Sequence, residues 1–193
     1  MRAVGARAFA ILLFGIALPL QAVGAKPPSV QDEAAVRGII AKIYAAYTQP
    51  APDLREGDRP VPDNEAGAAA SGYEPPYTQS LDSLIGRWDR LMQESEELYG
   101  MNGFDWYCQC QDNDAATAKL LKQTYRQAGK ARIEARILFS PGRSPEGDTG
   151  SPLVVKFLKE NGDWKIDDLK FDDGSLLRRS LLQDIADASK AAH

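Results

Sequence analysis

Histidine is almost missing from this chain. Of its 193 residues one is histidine, and it is the last, His193. That excludes Ser-His-Asp triads, histidine acid–base catalysis and most zinc sites, unless a frayed terminus folds back. Cysteine is scarce as well, with Cys108 and Cys110 the complete set, and methionine is limited to three residues. Glycine-rich phosphate loops, Ser-nucleophile elbows and carboxylate–histidine metal motifs do not occur, which disfavours hydrolases and nucleotide enzymes. A surplus of positive charge is also lacking: 23 Lys and Arg stand against 27 Asp and Glu, a formal net charge of −4. Phosphate binding needs clustered cations that release counterions, so nucleic acid is not an expected partner.

What is present begins with an export signal. Arg2 and Arg7 supply a basic start, Ala8 to Leu20 is apolar apart from Gly15 and Pro19, and Val23-Gly24-Ala25 offers small residues for cleavage. The apolar run falls short of the ~20 residues that a membrane-spanning helix needs, so removal is expected rather than anchoring. The expectation is a signal peptide over 1–25 and a mature chain starting near Lys26, which loses the two signal arginines and goes from a formal charge of −4 to −6. Neither cysteine lies near the junction, so no lipid anchor is expected, and the address is the periplasm or the extracellular space. Residues 26–193 then make one ordinary domain.

Hydrophobic period divides that domain. Ser29 with Asp32 three residues on forms an approximate capping box, and Val36, Ile39, Ile40, Ile43, Tyr44 and Tyr47 share one face of a first helix. From about 49 to 77 the chain is rich in Pro, Gly, Ala and Asp with no apolar period, which reads as a long loop or disordered insert. A second helix is expected to open at Ser80, with Leu81, Leu84, Ile85, Trp88, Leu91 and Met92 as its stripe and Gly100 and Gly103 beyond it. Then the period changes to two. Ala131, Ile133, Ala135, Ile137 and Phe139 alternate with polar residues as in a half-buried antiparallel strand, and Leu153, Val155 and Phe157 do so again. Lys119 to Gln127 fits a helix or a strand, and Ala128-Gly129 just after it favours the strand of a hairpin. Asn161-Gly162 predicts a turn with positive φ. Inward parity slips between Trp164 and Ile166 on one side and Leu169 and Phe171 on the other, which predicts a bulge at Asp167 or Asp168. Asp173-Gly174-Ser175 is read as the cap of a closing helix carrying Leu177, Leu181 and Ile185.

The paired Tyr44 and Tyr47, Phe104-Asp105, Cys110-Gln111-Asp112, and Gly162 to Asp168 followed by Ser175-Leu176-Leu177-Arg178 carry a resemblance across most of the mature chain. They resemble a family of exported bacterial domains of unknown function within the nuclear-transport-factor-two-like superfamily, cone-shaped α+β folds of cystatin-like topology. The resemblance implies helices packed on a strongly curved antiparallel sheet, with a cavity at its open end and a closing C-terminal helix. It also implies a sheet face that often forms dimers, so a homodimer is admitted. The insert at 49–76 departs from the compact core of that superfamily. Because the architecture hosts isomerases, dehydratases, immunity proteins and plain binding modules, it does not supply the function.

Several side chains are candidates for chemistry. Cys108 and Cys110 sit in an oxidising address, where a local disulfide, buried free thiols and a soft-metal pair compete. Residues two apart on a straight strand have Cα atoms ~6.6 Å apart, near the disulfide limit, so a bridge needs a tight turn. Asp105, Asp112 and Asp114 are poor partners for a soft ion, and no metal is expected. In the acidic cluster Asp167, Asp168, Asp172 and Asp173, only one of Asp167 and Asp168 can face inward on a regular strand. An inward aspartate would be a general base, with Tyr44 or Tyr47 stabilising an oxyanion, a pairing that the isomerase-like members of the resembled superfamily use. The competing reading is a solvated turn with Lys165 and Lys170 as charge partners. Trp88, Trp106 and Trp164, with Tyr44 and Tyr47, are candidate ligand-binding aromatics or simple core fill. Arg132 and Arg136, on the exposed strand face, either receive an anionic partner or pair with Glu134. The sequence therefore reads as a non-catalytic exported domain that binds a small molecule or an envelope protein without a cofactor. The alternative is a cofactor-free isomerase or dehydratase using Asp167 or Asp168 with Tyr44.

Overall fold

Ser29 starts the first helix as its spacing requires: its hydroxyl accepts the Asp32 N–H at 3.1 Å and donates back to the Asp32 carboxylate at 2.7 Å. The computed structural model describes residues 26–45, 47, 73–94, 101, 105–109, 119–140 and 151–191. Among them are helices α1 (Val30–Ala45), α2 (Gln79–Glu94) and α3 (Leu177–Ala191) and strands β1 (Lys119–Gly129), β2 (Arg132–Ser140), β3 (Ser151–Glu160) and β4 (Asp163–Lys170). The strands form an antiparallel meander in the order β1-β2-β3-β4, an open sheet in an α+β fold. No helix among the described residues is long and apolar enough to cross a membrane.

Alternation fixes which face is the core. Ile133, Ala135, Ile137 and Phe139 of β2 and Leu153, Val155 and Phe157 of β3 are fully or almost fully buried, with Trp164, Ile166 and Leu169 of β4 on the same side. Val36, Ile40, Ile43 and Tyr44 of α1 pack into that face between β1 and β4. Helices α2 and α3 pack on each other beside β4. The turn between β3 and β4 has φ +54° at Asn161 and +93° at Gly162, as its Asn-Gly pair predicts. The expected bulge is there too. Lys156 faces Asp168 and Phe157 faces Ile166, which leaves Asp167 as the extra residue and lets both Ile166 and Leu169 point into the core.

Five expectations need correction. Ala131 lies in the tight turn rather than in the strand. The second helix is capped by Thr78, not Ser80: Thr78 Oγ1 accepts the Leu81 N–H at 3.3 Å, and its carbonyl accepts the Asp82 N–H. Thr78 is fully buried and reaches this place because Pro76 to Thr78 pairs with β4, through Ile166 N–H to Pro76 O and Thr78 N–H to Ile166 O. The stretch read as a loop to residue 77 therefore ends earlier, since Tyr73 and Tyr77 pack on the core, while 48–72 lies outside the described residues. The start of α3 is capped from a distance. Ser175 only accompanies an Asp173 turn, whereas Asp168 Oδ1 accepts the Arg178 N–H at 3.1 Å and the Leu169 N–H at 3.0 Å. Glu134 pairs with Arg126 across the β1–β2 hairpin, leaving Arg132 and Arg136 without it.

Candidate ligand-binding site

Two places in the fold concentrate polar side chains, and they are built differently. The first is interior. Asp105, 3 % exposed, accepts the Tyr47 hydroxyl at 2.7 Å on each carboxyl oxygen, and its Oδ1 also accepts the N–H groups of Tyr107 and Cys108 at 2.9 and 3.2 Å. The Tyr44 hydroxyl donates to the Tyr107 carbonyl at 2.9 Å, and the hydroxyls of Tyr77 and Tyr107 lie 3.0 Å apart. Helix α1 supplies Tyr44, the strand-like segment before α2 supplies Tyr77, and the turn at 105–108 supplies the rest. Burial pushes all four phenols well up, Tyr77 to about 12. They stay neutral donors at any physiological pH. None of these residues lines the cavity described below, so the network is an internal brace.

The second place is a cavity of about 530 Å³ where α3 meets the β4–α3 turn and the 105–109 turn. Met101 and Phe171, both buried, give it an apolar floor. Its walls are Gln109, Ser175, Ser180 and Gln183, and its charges are Asp172, Asp173 and Asp184 against Arg179. Asp184, 8 % exposed, is fixed by donors on one oxygen, the Trp88 indole N–H and the Met101 N–H, both at 3.1 Å. Hydrogen bonds from Ser175 hold Asp173 below the usual carboxylate range, so it is ionised at neutral pH. Gln109 spans the mouth, donating to Pro152 O at 3.2 Å and accepting the Asp172 N–H at 3.4 Å. Its backbone has φ +52°, a left-handed conformation uncommon for a side chain of this kind.

The residues picked out from the sequence are therefore dispersed. Tyr44 and Tyr47 meet at a tilt of 42° with ring centroids 5.8 Å apart inside the brace. Trp88 meets Trp106 edge-on at 6.1 Å, and Trp164 lies at the far end of the sheet, its N–H on Asp32 at 2.8 Å. The bulge changes what the aspartates face. Asp167 is held by Arg178 at 2.7 Å and by the Thr78 hydroxyl at 3.3 Å, and Asp168 faces the outer side, where Lys156 and the first turn of α3 engage it. Neither faces the apolar interior as a free base. Lys165 pairs with Glu160 rather than with this cluster. Cys108 is buried beside Asp105, no free cysteine occurs among the described residues, and Cys110 lies outside them. Among the described residues no group of three His, Cys, Asp or Glu side chains converges as a metal site. Sequence reasoning quoted Arg178 only as part of the resemblance, with no role, and missed Arg179 and Asp184. The one signal for Asp184 was a carboxylate on the buried stripe of α3, one residue before Ile185.

Comparison of the chain with protein-family models, with curated proteins and with solved structures finds no match.

Proposed function

We propose that this chain is an exported, non-catalytic binding domain with the cone-like architecture of the nuclear-transport-factor-two-like superfamily. We place its ligand site in the cavity between α3 and the 105–109 turn. One observation carries the reading. The candidate acid–base residues are engaged in structural bonds, Asp168 on a helix N-terminus, Asp167 on Arg178 and Tyr44 on a backbone carbonyl, while the cavity has a volume suited to a small organic molecule. An apolar floor with three carboxylates against one guanidinium favours a small organic cation, an amine with a short apolar body. The test is calorimetry with a panel of alkyl amines and the matching carboxylic acids. Amines are expected to bind, with Asp173→Asn weakening them about tenfold through the loss of a charge-assisted hydrogen bond. Equal binding of the acids, or an Asp173→Asn variant that binds as well as the parent, sinks the proposal.

Export and the cysteine pair belong to the same reading. Gln109, in a left-handed conformation, is the middle residue of the Cys-x-Cys segment, and a tight turn is what a bridge at this sequence spacing requires. We take Cys108 and Cys110 to be joined. An intact mass of protein collected after export from its own host is expected to start near Lys26 and to be two hydrogens lighter than the reduced chain. A mass that retains residues 1–25, or that shows two free thiols under denaturation, counts against it.

A further inference from the structure

The acidic balance of the chain conceals a basic surface. Residues on the side of the sheet opposite α1 come from the even-numbered positions of β2 and β3 and their cross-strand neighbours. Arg136 lies between Thr124 on β1 and Val154 on β3, and Val154 is flanked in turn by Lys170 on β4. One row along, Glu134 separates Arg126 from Lys156, and beyond it Arg132 adjoins Leu158 and then Lys165. At the other end Lys122 faces Leu138. Glu134, Asp168 and Glu160 engage Arg126, Lys156 and Lys165. Lys122, Arg132, Arg136 and Lys170 are exposed and make no ion pair among the described residues. The exposed Asp163, opposite Glu160, is the remaining carboxylate of the strands on this side, so in a chain of formal net charge −4 the face keeps a positive balance.

Its spacing and composition say what it fits. Adjacent strands lie ~4.8 Å apart, so the backbones at Arg136 and Lys170 are separated by about 10 Å, and Arg132 and Arg136 by about 13 Å along one strand. Spread over three strands in this way, they match a two-dimensional array of anions. A protein partner of ordinary kind is disfavoured, because interface cores are rich in aromatic residues and poor in lysine, and this face carries no aromatic side chain. Face-to-face pairing of two copies would set like charges against each other. Screening within ~8 Å at physiological salt lets the local face act despite the negative remainder.

We propose that this outer face of the sheet docks on the phosphate headgroups of an anionic phospholipid bilayer. The test is co-sedimentation of the full chain with vesicles of phosphatidylglycerol and phosphatidylcholine in equal parts, and with vesicles of phosphatidylcholine alone. Binding to the anionic vesicles alone is expected, and it should vanish toward ~1 M salt, where screening acts within ~3 Å. Each cation near such a surface contributes about a fivefold factor, so the triple variant Arg132→Gln, Arg136→Gln, Lys170→Gln should bind roughly 100-fold more weakly with unchanged thermal unfolding. Arg87→Gln on α2, which removes one charge away from the sheet, should not change binding. Equal association with both vesicle types overturns the proposal, because an apolar segment would then be responsible. So does a triple variant that binds like the parent, or binding to a single-stranded oligonucleotide without binding to the anionic vesicles.

Discussion

Raising the pH above 10 is expected to unfold this protein steeply, with the buried tyrosines as the cause. Burial raises Tyr44, Tyr47, Tyr77 and Tyr107 in the folded state, Tyr77 to about 12, whereas in the unfolded chain they ionise near 10.0. The sign follows directly. A folded-state pKa raised above the unfolded value leaves stability intact below pH 10 and removes it as the pH climbs toward the folded value, since the unfolded state alone releases protons. Four such groups give a slope approaching about 5 kcal/mol per pH unit, comparable within two units to the whole stability of a typical domain. Chemical denaturation at a series of alkaline pH values, followed by tyrosinate absorbance, provides the check. The ionisation of four of the seven tyrosines should coincide with loss of structure. Smooth titration of all seven near pH 10 with the fold intact is the opposite result.

Replacement of Asp105 by alanine should be the most damaging single polar substitution in the molecule. It removes the acceptor for the Tyr47 hydroxyl and for the Tyr107 and Cys108 N–H groups, and all three donors are buried. Each orphaned donor costs about 1 to 3 kcal/mol, so a loss of about 4 kcal/mol is expected even after partial relaxation. Asp105→Asn keeps one acceptor oxygen and should cost less, with Tyr47→Phe costing about 1 kcal/mol because the donor leaves with its bond. Urea denaturation of the three variants tests the order. An Asp105→Ala variant within the error of the parent would show that the carboxyl group is not the acceptor on which the brace converges.

Much of the secondary structure was legible because each signal is local. The parity slip between Ile166 and Leu169 predicts a bulge at Asp167 or Asp168, of which the fold uses Asp167, and Asn161-Gly162 predicts its turn. The strand reading of Lys119 to Gln127 held for the same reason. What the aspartates do was not legible, because their partners are distant in the chain. Arg178 meets Asp167 and Thr78 only after β4, the pre-α2 segment and α3 are assembled, and Asp168 caps a helix that begins nine residues later. Local propensity points to Ser80 and Ser175 as caps. Tertiary placement gave those roles to Thr78 and Asp168 because they were the buried acceptors at hand.

The sequence by itself determined the element types, the face of each element that turns inward and the oddities of the β3–β4 hairpin, because hydrophobic period and turn chemistry act over a few residues. Only the tertiary structure decided that Tyr47 and Asp105, 58 positions apart, share a hydrogen bond. It alone decided that α3 and a short turn line a cavity with an apolar floor and charged walls, and that Lys122, Arg132, Arg136 and Lys170 of an acidic chain share one side of its sheet. The physical reason is common to all three. Strand pairing and helix docking set side chains from remote positions side by side, and net charge or periodicity, being sums along the chain, carry no record of that neighbourhood.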